Sequence, residues 1–347
     1  MAFLLAASLA PMEATSVSEI PRGDAWQYEP KWDGFRCLAF RSGKEVELRS
    51  KSGQSLSRYF PEIVAAVGKL SAKEFVLDGE IVIPAEGGLS FDALLQRIHP
   101  AESRVRKLAS ETPGWFIVFD LLATKADGDL TEAPLQKRRA KLEAFAKKNF
   151  DAKGALRLSP ATRKISQAEK WFGAGGSTLD GLIAKNLEAP YASGKRDAMV
   201  KIKPQRTADC VVGGFRYAEK KKVVGSLLLG LYDEEGKLNH VGFCSGLKTT
   251  ERAALTKKLE QLIEPPGFTG KAPGGPSRWS TERSAEWKPL KPKLVVEVSF
   301  DHVTGDRFRH GTGLVRWRPD KSPRQCTMDQ MLQKRSTSLA RLLGARK

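Results

Sequence analysis

Tyr28-Glu29-Pro30-Lys31-Trp32-Asp33-Gly34-Phe35-Arg36 puts one lysine on an extended segment that runs into a tight turn. Pro30 drives Glu29 into an extended conformation. Asp33-Gly34 is a turn dipeptide, and the glycine is expected to supply any positive φ the bend needs. A lysine amine titrates near ~10.4 and becomes a nucleophile only when burial or a neighbouring cation lowers that value. A bare K-x-D-G is more often an exposed lysine beside a turn. The functional reading gains its weight from Arg36 and from further motifs downstream.

Composition sets the frame. The 347 residues suffice for two domains with their own cores. The net charge of +18 is uneven: 31 Lys+Arg against 25 Asp+Glu in residues 1–203, net +6, and 27 against 15 in residues 204–347, net +12. A basic chain with a more basic second half calls for a polyanionic partner, most simply nucleic acid. Cys37, Cys210, Cys244 and Cys326 form no C-x-x-C pair, so neither a zinc ribbon nor a disulfide framework is indicated. Ala2–Ala10 is apolar but too short to span a membrane and lacks a basic flank, so a terminal strand or loose tail is expected. The simplest location is the cytoplasm, with no membrane partner.

Along the chain, residues 37–48 predict a hairpin through Ser42-Gly43-Lys44. Pro61 opens a helix and Ser90 caps another that runs to Ile98. Phe75–Ile83 reads as one apolar strand interrupted by Asp78-Gly79-Glu80, and Trp115–Phe119 as a second apolar run closed by Asp120. Pro134–Asn149 reads as a basic amphipathic helix with a solvated outer face. A helix over Ser166–Phe172 should break at Gly173, Gly175 and Gly176, before strands at Gly181–Ala184 and Ala198–Ile202. Strands and helices mix without strict βαβ alternation, which favours an α+β domain. After Lys203-Pro204 the chain turns mostly β: Ala208–Val212, Val223–Leu231, His240–Phe243, Leu294–Phe300 and Leu314–Trp317, with one helix at Thr249–Ile263 and a loop at Pro265–Pro276. This pattern suits a small oligonucleotide-binding barrel. The expected domains are 1–203 and 204–347.

The chemistry-bearing residues come in a set order. Lys31 and Arg36 are followed by Arg49-Ser50-Lys51-Ser52-Gly53, Asp78-Gly79-Glu80, Phe119-Asp120-Leu121-Leu122, Asp180-Gly181-Leu182-Ile183-Ala184-Lys185, Lys201-Ile202-Lys203 and Arg318-Pro319-Asp320-Lys321-Ser322-Pro323. This series resembles the covalent nucleotidyltransferases: ATP-dependent DNA ligases, RNA ligases and mRNA capping enzymes. It is most similar to the compact C-type bacterial ATP-dependent DNA ligases, and the resemblance runs from Glu29 to Pro323.

The resemblance implies an adenylation domain followed by an oligonucleotide-binding barrel, ATP as nucleotide, and Mg²⁺ or Mn²⁺. Lys31 would hold AMP as a phosphoramidate. Glu29 would recognise adenine, Arg36 the nucleotide sugar and the nick, and Phe119 and Ile183 the two faces of the base. Lys51 stands where an arginine is usual, and the two cations are not equivalent where a fork-shaped donor is needed. A hairpin-edge cation is an equal reading for Arg49 and Lys51. Glu80 would contact ribose or metal. Asp180 replaces the usual glutamate and is one methylene shorter, which favours metal binding through water over direct ligation. Lys201 and Lys203, two apart on a strand, would share a face and reach the α-phosphate. Arg318 and Lys321 would close over the β,γ-phosphates and orient pyrophosphate. The partner implied is nicked double-stranded DNA, bound by a monomer in the bacterial nucleoid. An RNA ligase or a GTP-using capping enzyme shares the core. A basic DNA-binding protein with a decayed core is the reading from another class, and the intact lysines oppose it.

Overall fold

A computed structural model describes residues 3–86, 88–173, 179–219, 221–274, 286–331 and 342. The chain divides into two compact units, Met1–Pro204 with Gln333–Lys347, and Gln205–Leu332. Leu342 is buried with Tyr28, Trp32, Val82 and Phe119 of the first unit, so the second unit does not run to residue 347 as expected.

Two sheets build the first unit. One holds β1 (Thr15–Val17), β2 (Trp26–Lys31), β11 (Gly181–Asn186) and β12 (Met199–Ile202), in the order β1-β12-β11-β2. The other holds β3 (Phe35–Ser42), β4 (Glu45–Ser50), β5 (Glu74–Val82), β8 (Trp115–Thr124) and β10 (Leu156–Leu158), in the order β10-β8-β5-β3-β4. A ribbon of β6 (Pro84–Ala85) with β7 (Gly88–Leu89) and a short β9 (Gly128–Asp129) beside β8 complete the strands. Strands β5 and β8 are mostly apolar on both faces, apart from Asp78 and Glu80 in β5 and Asp120 in β8, because both faces are covered. One face meets the first sheet through Val82, Ile117, Tyr28 and Leu182. The other meets helices α1 (Pro61–Lys69) and α4 (Leu135–Asn149) through Phe75, Phe116, Ile63 and Leu142. Phe40, Phe60, Phe75 and Phe116 are fully buried, each contributing about 1.5–3 kcal/mol by leaving water.

Several local expectations are corrected. Gly34 does not take a positive φ; a Cβ there would stand 2.2 Å from the Ile81 carbonyl oxygen, so close strand approach demands the glycine. Helix α4 is not simply a solvated face. Arg138 is fully buried and grips Asp120 at 2.9 and 3.1 Å, and Arg139 is buried and donates to the Ser159 carbonyl at 2.9 Å. For Arg138 the Asp120 carboxylate on β8 decides this, and helical periodicity carries no sign of it. The N-terminal segment is neither strand nor loose tail over its described residues: Phe3, Leu4, Leu5 and Leu9 pack beside Phe40, Val76 and Tyr191. Ser90 caps α2 (Phe91–Gln96) as expected, accepting from the Ala93 amide at 3.2 Å. Helix α3 (Glu102–Glu111), polar on most faces, is an addition to the sequence reading. Helix α5 spans Ile165–Gly173. Ala2, Gly175, Gly176 and the end of the 265–276 loop lie outside the described residues.

The second unit is a curved antiparallel sheet of β13 (Arg206–Tyr217), β14 (Val224–Tyr232), β15 (Leu238–Cys244), β16 (Lys288–Pro289), β17 (Val295–Phe300) and β20 (Gly313–Trp317). The strand path is β15-β14-β13-β17-β20, with β16 beside β13 and a separate ribbon of β18 (Val303–Thr304) with β19 (Arg307–Phe308). A parallel bridge between Cys244 and Thr312 joins the two ends of that path, and the Thr312 amide donates to the Phe243 carbonyl at 3.0 Å. Register shifts within β13, β14 and β17 give the curvature such closure needs. Helix α6 (Arg252–Glu260) packs Leu259 into the core. A small closed barrel carrying α6 matches the expected oligonucleotide-binding architecture. The four cysteines are free and buried.

Candidate active site

Register brings the motifs together. Ile183 on β11 lies opposite Glu29 on β2 and opposite Lys201 on β12. Gly181 lies opposite Lys31, so Asp180 sits just beyond the end of the lysine strand, its amide donating to the Lys31 carbonyl at 2.8 Å. Gly181 has φ +136°, and a Cβ there would stand 2.1 Å from the Ile202 carbonyl oxygen, so both conformation and space require glycine. In the facing sheet, Arg36 lies opposite Glu80. Glu29, Lys31, Arg36, Glu80, Phe119 and Ile183 line one small cavity of about 90 Å³.

At the mouth of this cavity, cations converge on one carboxylate. Lys31 Nζ donates to Asp180 Oδ2, and Lys203 Nζ lies 3.1 Å from the same oxygen. Asp180 is buried, at 6% exposure. Strand β12 ends at Ile202, so Lys203 follows the strand end instead of sharing a full strand face with Lys201. Burial first, then the charges of Lys31, Lys203 and Lys51, lowers the Lys201 pKa below the ordinary lysine value.

Inside the cavity Glu29, Phe119 and Arg36 are tied to partners that the motif order did not reveal. Glu29 is buried; it accepts from Gln27 Nε2 at 2.8 Å and pairs with buried Lys185 at 3.0 Å. Lys185 Nζ also donates to the Phe119 carbonyl at 3.3 Å and lies 4.6 Å from the Phe119 ring centroid. The Arg36 guanidinium carbon is likewise 4.6 Å from that centroid. Arg36 is held by Asp78 through two 2.6 Å bonds. Burial opposes the Arg36 charge, but Asp78 prevails and raises the guanidinium pKa. Glu80 keeps partial solvent exposure, yet burial of its carboxyl pushes the pKa up to about 7 against the pull of Arg36 and Lys31.

Lys51 stands apart from this cavity. It lines a neighbouring groove that shares Arg36 and Glu80 with it, and its ammonium pairs with Glu13 at 3.0 Å. Arg49 pairs with Glu47 at 2.9 Å, as a hairpin-edge cation would. In the second unit, Asp209 gathers the last motif: Arg318 Nη1 donates to it at 2.9 Å and Lys321 Nζ at 2.7 Å. Hydrogen bonding from Arg318 lowers the Asp320 carboxyl to about 2. Lys185, Asp78 as a clamp, and Asp209 were missed in the site reading; each acts through a partner remote in sequence.

A sheet-bound lysine thus stands beside a cavity lined from both sheets, with a second lysine and a buried carboxylate next to it. Residues 5–203 match the ATP dependent DNA ligase domain and residues 220–321 the ATP dependent DNA ligase C terminal region. The chain belongs to the ATP-dependent DNA ligases. It is 45% identical to DNA ligase C2 of Mycolicibacterium smegmatis, over 93% of this chain and 94% of that one. It is 44% identical to DNA ligase C of Mycobacterium tuberculosis, over 96% of each. These matches place it with the bacterial C-type ligases. A solved structure from work on Lig E DNA ligases has a TM-score of 0.53 over 89% of this chain and all of that one; at 15% identity this likeness concerns the fold alone.

Proposed function

We propose that this chain seals nicks between a 3′-OH and a 5′-phosphate in duplex DNA, using ATP, with Lys31 as the covalent carrier of AMP. The observation that carries the reading is the convergence of Lys31 and Lys203 on Asp180 beside the cavity of Glu29, Phe119, Ile183, Arg36 and Glu80. In the first step the Lys31 amine attacks the α-phosphorus, the bond to the β-phosphate breaks, pyrophosphate leaves and the amine loses a proton. Lys201 and Lys203 stabilise charge on the α-phosphate, and Arg318 and Lys321 serve the departing pyrophosphate. In the second step an oxygen of the DNA 5′-phosphate attacks the same phosphorus, and the P–N bond breaks with return of a proton to Lys31. In the third, the 3′-OH attacks the 5′-phosphate and AMP departs.

Glu80 and Asp180 are the carboxylates that would hold Mg²⁺ or Mn²⁺. Among the described residues no cluster of three or more His, Cys, Asp or Glu could hold a metal by itself. That fits Mg²⁺, which takes one or two carboxylates and fills its shell with water and substrate phosphates. A carboxyl that burial has raised to about 7 is also one that a nearby cation would bring back to its charged form. When bound, the ion would neutralise phosphate charge.

The partner is nicked double-stranded DNA held by basic surfaces, the protein acting as a monomer in the bacterial cytoplasm, in DNA repair. Among the described residues no helix is long and apolar enough to cross a membrane. Incubation with each α-³²P-labelled NTP, then with nicked DNA or nicked RNA, tests the reading. ATP should label Lys31, and DNA should be sealed. Labelling by GTP, or sealing confined to RNA, would transfer the chain to the capping-enzyme or RNA-ligase reading.

A further inference from the structure

Arg36 is a long side chain asked to hold one orientation at the wall of the cavity. Its clamp, Asp78, is fully buried, and a buried carboxylate must have its remaining lone pairs satisfied. The partner that satisfies it is Tyr191. The Tyr191 hydroxyl donates to Asp78 Oδ2 at 2.6 Å and accepts from the Met12 amide at 3.1 Å. Arg36 Nη2, besides its bond to Asp78, donates to the Met12 carbonyl at 3.2 Å. Arg36, Asp78, Tyr191 and the Met12 backbone thus close a ring of hydrogen bonds, drawn from β3, β5, the β11–β12 connection and the N-terminal segment. Tyr191 is 3% exposed and packs among Met12, Leu38 and Phe40. It is not a lining residue of the nucleotide cavity.

We propose that Tyr191 is a positioning residue for the ligase reaction, acting through Asp78 to fix the Arg36 guanidinium, with Met12 completing the frame. This rests on the proposed function, with Arg36 contacting the nucleotide sugar as the family resemblance implies. Without the hydroxyl, Asp78 Oδ2 loses one of its two short donors and the Met12 amide loses its acceptor. The carboxylate is then free to rotate, and Arg36 with it. The sequence pattern could not show this, because Tyr191 stands 113 positions from Asp78.

A double-mutant cycle on self-adenylation tests it. Tyr191→Phe keeps the packed ring and removes the hydroxyl. Loss of a hydrogen bond to a charged group should lower kcat/KM for ATP roughly tenfold. In an Arg36→Ala background the same change should cost less than about twofold, because nothing remains to be positioned. Asp78→Asn, which keeps shape and weakens the same clamp, is the second variant, and its effect should shrink in the same way. Thermal unfolding of all variants separates folding loss from positioning, since a structural role gives the same loss in both backgrounds. Equal fold losses in both backgrounds, or wild-type activity of Tyr191→Phe, overturn this inference alone. Wild-type activity of Arg36→Ala overturns both it and the assigned role of Arg36.

Discussion

Two aspartates each gather two cations, Asp180 with Lys31 and Lys203, and Asp209 with Arg318 and Lys321. In both places a carboxylate offsets charges that would otherwise repel one another until phosphate arrives. The two clusters differ in what their cations can become. Around Asp180 all the cations are lysines, and burial and crowding already lower the Lys201 pKa. A lysine amine that has lost its proton is a nucleophile. Around Asp209 one cation is an arginine, whose pKa is raised by hydrogen bonding to Asp320 and by Asp209. A guanidinium stays charged throughout, so Arg318 can neutralise phosphate but cannot attack it. The Asp209 backbone is itself pinned by Gln330, which accepts from its amide at 2.9 Å and donates to its carbonyl at 3.1 Å. On the proposed function, the first cluster carries the covalent chemistry and the second the electrostatic grip.

The largest expected effect breaks the first cluster. Lys31→Ala should abolish enzyme–AMP formation, because Lys31 is the proposed covalent carrier of AMP. Sealing of pre-adenylated nicked DNA should survive in part, since that step no longer needs the amine as nucleophile. Intact-mass spectrometry reads the adduct, and covalent AMP on the alanine variant would end the division of labour drawn here.

Next in size is the second cluster. Lys321→Ala should slow self-adenylation by about 10²–10³, the usual cost of losing an electrostatic stabiliser. It should seal pre-adenylated nicks at close to the normal rate, because pyrophosphate is gone by then. Equal losses in the two assays would mean that Lys321 supports the fold or meets DNA, and the comparison would lose its second half.

The smallest effect sharpens the contrast through pH. Burial raises Glu80 to about 7. Between the unfolded carboxyl value of ~4.3 and that point, the folded chain keeps a proton that the unfolded chain has lost. The stabilisation is complete below the unfolded value and is lost as pH rises through 7. Asp320 runs the other way: its pKa is lowered to about 2, so its contribution is present above the unfolded value and lost as pH falls through 2. Urea unfolding of Glu80→Gln should match wild type near pH 4 and exceed it near pH 8. Allowing for the partial exposure of Glu80, the gain should be on the order of 1 kcal/mol. A gain that is the same at both pH values would remove the buried-acid reading.

Sequence by itself determined the order of the parts. Residue type and spacing sufficed for Lys31 at a strand end, for Asp78-Gly79-Glu80 within an apolar strand, and for the change to β-rich chain after Lys203, because these are local properties of a backbone and its side-chain period. Tertiary structure alone decided the partners. Arg138 reads as a surface cation until Asp120 is beside it, Gly34 as a turn glycine until the Ile81 carbonyl approaches, and Glu29 as a free base-reader until Lys185 is buried against it. A buried charge is tolerated only when another residue meets it. That other residue is supplied by the pairing of strands distant in the chain, which no period along one strand or helix encodes.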